Sequence, residues 1–305
     1  MILSQLSLTS TYVLRCFLTA SACSTVIVYF TNHFTEVRLP PRTNTSYGWF
    51  STYDANIVGG LLQGIGMALT GASPGIALVQ LALGMRMAWW VVMGGILGAL
   101  AFVLFGNKIR RSGNMVDGKT VAHHTVQQLL EIKDEMAVLG YEIMLVGVIG
   151  VVGGLGSSQN QKAFQVGPVA GGLMIGVAQA VSVLLSRRTL GISTAYVEIA
   201  TLFYQSFRSR EISVPYSNIV FAVGITTGAW VTSQRTSLVS EADVDISVPT
   251  ALLGGVCTIF GARLAGGCTS GHGISGMSTL SVSSFVTMAA MFAGGVVFKH
   301  VWDMS

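Results

Sequence analysis

Gly66-Met67-Ala68-Leu69-Thr70-Gly71-Ala72-Ser73 and Gly261-Ala262-Arg263-Leu264-Ala265-Gly266-Gly267-Cys268 read as two copies of one pattern. In each, an apolar run stops at glycine and ends on a small polar side chain. A glycine pair precedes each copy by the same seven residues, Gly59-Gly60 in one and Gly254-Gly255 in the other. Both landmarks are therefore 195 residues apart, from 66 to 261 and from 59 to 254. Segment 12–30 matches 216–234 by its place in the order of segments and its apolar character. Pro74-Gly75 follows the first copy, and Thr269-Ser270-Gly271-His272-Gly273 follows the second. Helices broken at corresponding places of two halves point to a binding site near the middle of a membrane. Irregular backbone is tolerated there only where protein or a water-lined cavity satisfies its polar groups.

Composition says which solvent such a chain is built for. Of 305 residues, 51% are hydrophobic and 10% charged, and mean hydropathy is +0.64. Soluble domains carry about 25% charged residues, so this chain cannot cover a water-facing surface of ordinary size. An apolar, charge-poor chain is not disordered, and 37 glycines without a three-residue period exclude collagen. Net charge is +4, from 17 basic and 13 acidic residues, too few and too scattered for a nucleic-acid surface. What remains is an all-α polytopic membrane protein, a two-fold internal repeat with short re-entrant helices. The N-terminus has no basic n-region and no A-x-A site, so no cleavable signal peptide is expected. With no targeting motif in view, the plasma membrane is the default address.

A hydrocarbon core of roughly 30 Å takes about 20 apolar residues per helix. Full spans are predicted near 12–30, 55–72, 87–106, 141–157, 167–186, 216–234, 249–267 and 284–301. Apolar pieces near 75–85, 190–206 and 272–282 are too short or too broken to cross alone. Residues 1–106 form the first half, 107–140 a polar linker and 141–305 the second half. Few residues precede Tyr12, while 141–206 precede the matching segment of the second half, so the first half reads as shortened at its N-terminus. The linker holds the densest cations, Lys108, Arg110, Arg111, Lys119 and Lys133, which places it in the cytoplasm. The loop 237–248, with Glu241, Asp243 and Asp245 and no cation, suits the opposite side. Residues 121–139 read as a surface helix or as a solvated linker. The spacings Gly60/Gly64, Gly94/Gly98, Gly150/Gly154, Gly172/Gly176 and Gly224/Gly228 predict close helix packing.

The densest chemistry lies in Gly261–Gly276: one cation, one thiol, one imidazole, three hydroxyls and six glycines in an apolar setting. A half-helix starting near Gly271, capped by Ser270 or Thr269, would aim backbone N–H groups at an anion. Arg263 is costly in a membrane unless paired, and Cys268 is a soft, polarisable neighbour. Together they suit a small anion bearing sulfur. Each residue also has a structural reading: Cys268 as a small hydrophobe, His272 closing a turn on a carbonyl, Arg263 anchoring helix ends. Cys16, Cys23 and Cys257 read as packing residues. The four cysteines form no C-x-x-C, which argues against zinc, a redox pair or a disulfide framework. Glu142 and Glu198, near span ends, read as ion-pair partners of residues such as Arg187 and Arg188, or as proton-relay carboxylates. No metal ligand set, phosphate loop or catalytic triad is present, so no cofactor is expected.

At these residues the chain resembles the YeeE/YedE sulfur-transport family. Gly261–Gly276 is similar to its second-half GCTSGHG-type loop, and Gly71-Ala72-Ser73-Pro74-Gly75 resembles its first-half G-x-C-P-G loop. Ala178-Gln179-Ala180 through Gly191-Ile192-Ser193-Thr194-Ala195-Tyr196 is similar to the opening of the second half in fungal-type members. The resemblance implies an hourglass-shaped helical protein that passes thiosulfate or a related compound along cysteines at its constrictions. Cys268 matches the second-half cysteine, and Ser73 stands where the first-half cysteine is expected.

The sequence therefore predicts a permease, not an enzyme, for a small sulfur-containing anion in a lipid bilayer. Cys268 is the soft contact, with Gly267, Thr269, Ser270, Gly271, His272 and Arg263 around it and Ser73 with Gly75 as the opposite gate. The alternatives are a membrane-bound sulfurtransferase carrying a persulfide on Cys268, and a non-transporting remnant of the family. No feature of the sequence assigns a soluble sulfur-carrier partner.

Overall fold

A computed structural model describes residues 11–112, 125–155, 166–187, 189, 191–207, 215–235 and 246–304. Its helices are α1 (Tyr12–Phe34), α2 (Asp54–Thr70), α3 (Pro74–Ala82), α4 (Ala88–Ser112), α5 (Val126–Leu130) and α6 (Asp134–Leu155). They continue as α7 (Pro168–Ser186), α8 (Ser193–Phe207), α9 (Ser217–Arg235), α10 (Val248–Leu264), a π-helical turn (Ser270–Gly276) and α11 (Val282–Met304). Among the described residues, six helical segments are long and apolar enough to cross a membrane, Asp54–Ala82 counting as one. Large apolar side chains such as Leu184, Val177, Leu173 and Val297 stand exposed, while Asp54, Asn56 and Gln63 are fully buried. That inversion of the soluble pattern fits an integral, multi-pass protein whose outer surface meets lipid.

Helix ends follow local chemistry. The span predicted to reach 72 stops at Thr70, because Gly71 turns left-handed at φ 66° and Pro74 starts α3 as its first residue. The span predicted to reach 267 stops at Leu264, since Gly266 has φ 80°. Its seventeen residues make α10 shorter than the six full spans. The span predicted from 141 begins at Asp134, with Asp134 and Glu135 in its first turn, where carboxylates favour a helix start. Of 121–139, read as a surface helix or a solvated linker, the described part from 125 holds two pieces: α5, closed by a Thr125–Gln128 capping box, and the start of α6. The expectations for Lys119, Arg188, Glu241, Asp243 and Asp245, and for the side chains of Lys108, Arg110 and Arg111, lie outside the described residues.

Four helices form the centre, and glycine sets how closely they approach. α2 and α10 cross antiparallel. A Cβ at Gly59 would lie 2.5 Å from the Gly261 carbonyl oxygen, and one at Gly66 would lie 2.6 Å from that of Gly254. On the flanks Gly60 and Gly64 meet Thr287 and Met291 of α11, while Gly94 and Gly98 of α4 meet Leu252 and Val256 of α10. Gly172 and Gly176 of α7 pack on Thr19 and Cys23 of α1, with the Cys16 sulfur 3.3 Å from a Cβ at Gly171. Two predicted pairs do not pack this way: a Cβ at Gly150, Gly154, Gly224 or Gly228 would meet nothing within 4 Å. Those faces of α6 and α9 turn away from the described neighbours, so spacing alone did not tell a used glycine face from an open one.

The start of α2, the end of α10 and the start of α11 share one end of the bundle. There 35–53 lies across the helix ends as a strap. Buried Asp54 accepts backbone N–H bonds from Tyr47 at 2.9 Å and Trp49 at 2.6 Å. Buried Asn56 accepts from the Thr45 N–H at 2.8 Å, and donates to the Ala265 carbonyl at 3.0 Å and to Thr287 Oγ1 at 2.9 Å. Two polar side chains at the mouth of a span thus replace the water that the strap's backbone would otherwise need.

Candidate functional site

Leaving α10, the chain reverses at Gly266, passes Cys268 and enters the π-helical turn. Cys268 is 1% exposed, yet its surroundings are polar. The Ser270 hydroxyl lies 3.3 Å from its sulfur. Gly271 and Ser193 stand beside the same sulfur. Ser193 opens α8, so two separate segments bring polar groups to one sulfur.

The rest of the predicted loop divides. Thr269 turns into the α2–α11 interface, where Oγ1 accepts from Gln63 Nε2 at 2.9 Å and lies 3.4 Å from the Met291 sulfur and 3.5 Å from that of Met67. Thr269 makes no capping bond to the following turn. A π-helical turn of seven residues stands in place of the expected half-helix. His272, buried, has both ring nitrogens engaged, Nε2 with the Ala265 carbonyl and Nδ1 with Ser284 Oγ, each at 3.0 Å. Its ring braces the reversal between α10 and α11. The Gly267 N–H donates to the Ala262 carbonyl at 2.8 Å, which closes the end of α10.

Ser73 sits half-buried before α3, and its side chain makes no capping bond. A Cβ at Gly75 would lie 2.6 Å from Ile192 Cδ1. Both broken segments meet α8. The Tyr196 hydroxyl donates to the Pro74 carbonyl at 3.0 Å, and Ser193, beside Cys268, lies one turn earlier in the same helix. Arg263, on the last turn of α10, lies 5.7 Å from the centre of the Phe102 ring, and its Nε has no hydrogen-bond partner.

Sequence reasoning missed Ser193, Tyr196 and Arg42. Arg42 comes from the strap. Its Nη1 donates to the Gly266 carbonyl at 3.1 Å, and its own carbonyl accepts from Ser281 Oγ at 2.6 Å and Ser283 Oγ at 3.1 Å. Burial presses its guanidinium below the ordinary arginine range, with Cys268 acting in the opposite sense. Pro40-Pro41 ahead of it, flanked on both sides by an arginine or its near neighbour in Arg38 and Arg42, was the available signal. Of the ion pairs expected for the two carboxylates, those with Arg188 lie outside the described residues. Glu198 holds the start of α9, accepting from the Ile219 N–H at 3.1 Å and from Asn218. Glu142 keeps one buried oxygen without a partner. Among the described residues no group of three or more His, Cys, Asp or Glu converges as metal ligands.

Cavities open towards both ends of the bundle. One of about 450 Å³ lies beside the strap, lined by Asn32, His33, Arg38, Leu39, Pro40, Pro41 and Asp134. One of about 340 Å³ lies at the far end of α2 and α11, among Leu69, Thr250, Phe298, Lys299 and Trp302.

A family model described as "Sulphur transport" matches residues 1–297. A "Probable transporter" of Xylella fastidiosa (strain 9a5c) is 30% identical over 129 residues, which are 42% of this chain and 88% of the relative. Its counterpart in strain Temecula1 matches to the same extent.

Proposed function

This chain belongs to the sulphur-transport (YeeE/YedE) family, and on that premise we propose that it carries a small sulfur-containing anion such as thiosulfate past a constriction at Cys268. The observation that carries this reading is the convergence of polar groups on one buried sulfur, the Ser270 hydroxyl at 3.3 Å with Gly271 and Ser193 beside it. An anion leaving water must exchange its hydration for fixed donors, because a buried charge without them costs many kcal/mol. These groups offer such an exchange. The thiol adds polarisability, which suits a terminal sulfur better than an oxygen.

From this point a route continues along α2. Thr269 bonds Gln63, and Gln63, Met67 and Thr70 are spaced four and three residues apart, one face of a helix. That face leads to Ser73 and Gly75, which we assign as the opposite gate. Gly267 and His272 hold the Cys268 loop in shape, while Arg263 supplies positive charge.

The two-halves reading is part of the same proposal. Helix starts at 54 and 248, ends at 70 and 264, and starts at 88 and 282 each stand 194 residues apart. The contacts of α2 and α10 are reciprocal, Gly59 on Gly261 and Gly66 on Gly254, as an antiparallel pair of related units would make them. Likewise α1 packs on the π-helical turn and α9 on α3. A relative of which 88% is covered by 129 residues has roughly the length of one such unit.

Passage fits better than sulfur exchange with a macromolecular acceptor, because Cys268 is 1% exposed. Uptake of labelled thiosulfate by a transport-deficient host tests the function. Wild type is expected to exceed the empty vector, with Cys268→Ala close to the vector level. Uptake equal to the vector in wild type, or equal in wild type and Cys268→Ala, refutes the reading.

A further inference from the structure

Arg42 lies against the Cys268 loop although more than two hundred residues separate them in sequence. Glycines make its seat. The three atoms nearest to a Cβ at Gly271 all belong to the Arg42 guanidinium, at 3.1, 3.4 and 3.8 Å. A Cβ at Gly267 would be 3.0 Å from Nη1, and one at Gly276 would be 3.1 Å from Cδ. Any side chain at Gly271 would press on this cation. Its backbone is pinned by the Ser281 and Ser283 hydroxyls, and Thr45, three residues on, is pinned by Asn56. The strap thus delivers one guanidinium to one place.

Arg42 and Arg263 are both half-buried. Among the described residues, the Arg42 guanidinium donates from Nη1 to the Gly266 carbonyl at 3.1 Å, and Arg263 Nε has no partner. A cation at the mouth of a span favours an anionic or carbonyl partner. A guanidinium has five donors in a planar fork that matches oxyanions.

Resting on the transport reading above, we propose that Arg42 is the charge-selecting residue of the Cys268 constriction, taking the oxygen end of the passing anion while Cys268 faces its sulfur end. The ligand class is a small oxyanion with one soft terminus. The bond to Gly266 is the resting partner that the anion replaces. The strap carries Arg38 and Arg42 at the bundle end where α4 runs into the cationic linker, so this mouth faces the cytoplasm under the positive-inside rule.

The test is labelled thiosulfate uptake into proteoliposomes over a range of concentrations, for wild type, Arg42→Gln, Arg42→Lys, Gly271→Ala and the strap control Arg38→Gln. Arg38 bonds the Asn32 carbonyl at the end of α1 rather than the Cys268 loop, so it removes a strap cation without touching the constriction. Loss of a charge-assisted contact raises KM about tenfold or more in Arg42→Gln. Arg42→Lys keeps the charge and loses the fork, so KM rises less, by roughly threefold. Gly271→Ala displaces the guanidinium and raises KM with the arginine still present, while Arg38→Gln matches wild type. An unchanged KM in Arg42→Gln overturns the inference and leaves the transport reading standing. An equal rise in Arg38→Gln overturns it too, because strap charge in general would then be the cause. If Arg42→Gln does not reconstitute, an unchanged KM in both Arg42→Lys and Gly271→Ala overturns it equally. Wild-type protein that moves no labelled thiosulfate overturns the transport reading itself.

Discussion

Gly66→Ala adds one methyl group at the α2–α10 crossing, and its consequence follows from three distances. The new Cβ would lie 2.3 Å from Thr258 Oγ1, 2.5 Å from the Thr258 nitrogen and 2.6 Å from the Gly254 carbonyl oxygen. Ordinary contact begins near 3.4 Å. Two of the three obstacles are backbone of the partner helix, so no rotamer change relieves them and the helices must part by close to 1 Å. Overpacking of this kind costs about 1–3 kcal/mol, and rigid obstacles put the variant in the upper half of that range. An unfolding equilibrium followed by circular dichroism in mixed detergent micelles should then shift by roughly 30- to 150-fold. Gly150→Ala is the internal control, since nothing lies within 4 Å of its Cβ. It should be neutral, or more stable by up to about 1 kcal/mol through helix propensity. Wild-type stability in Gly66→Ala, or an equal loss in Gly150→Ala, would refute the argument that close approach at this crossing requires glycine.

Asp54→Ala should free the strap, because two strap N–H groups lose their acceptor; trypsin should cleave after Arg38 or Arg42 at least tenfold faster than in wild type, at a stability cost of about 2–3 kcal/mol. Unchanged cleavage would mean that the strap is held elsewhere. His272→Ala should lower stability by about 1–3 kcal/mol, since the Ser284 hydroxyl loses its ring partner and the Ala265 carbonyl loses one of its donors. A variant that unfolds with wild type but loses uptake would give His272 a direct contact with the anion instead. Tyr196→Phe removes one hydrogen bond to the Pro74 carbonyl, worth about 1 kcal/mol. Uptake should fall with little change in thermal stability, and normal uptake would uncouple α8 from the first-half gate.

The broken helices were legible in sequence because glycine and proline act locally. Gly71, Pro74 and Gly266 mark their own positions through backbone geometry, and the ends of α2 and α10 fell within three residues of expectation. Cys268 stood out as a thiol among glycines, and the fold gives it polar neighbours. The other contributors act over distance. Arg42 reaches Gly266 across 224 positions, Asn56 reaches Ala265 across 209, and Tyr196 reaches Pro74 across 122. No window on the chain contains both ends of such a contact, and the strap has neither helical nor strand periodicity to draw notice. Asp54, Asn56 and Gln63 carried the one local hint, as polar side chains spaced along a predicted span. The glycine pairs show the converse limit. Gly60/Gly64 and Gly150/Gly154 have the same spacing, and only the fold decides which of them meets a neighbour.

Whether the anion touches Cys268 can be read from the thiol itself. In a variant with Cys16, Cys23 and Cys257 replaced, the rate of Cys268 alkylation would be measured in reconstituted protein with rising thiosulfate, and with sulfate at the same ionic strength. The account predicts concentration-dependent protection by thiosulfate and much weaker protection by sulfate, which lacks a soft terminus. Alkylation at the same rate with and without thiosulfate, in protein that transports it, would contradict the account.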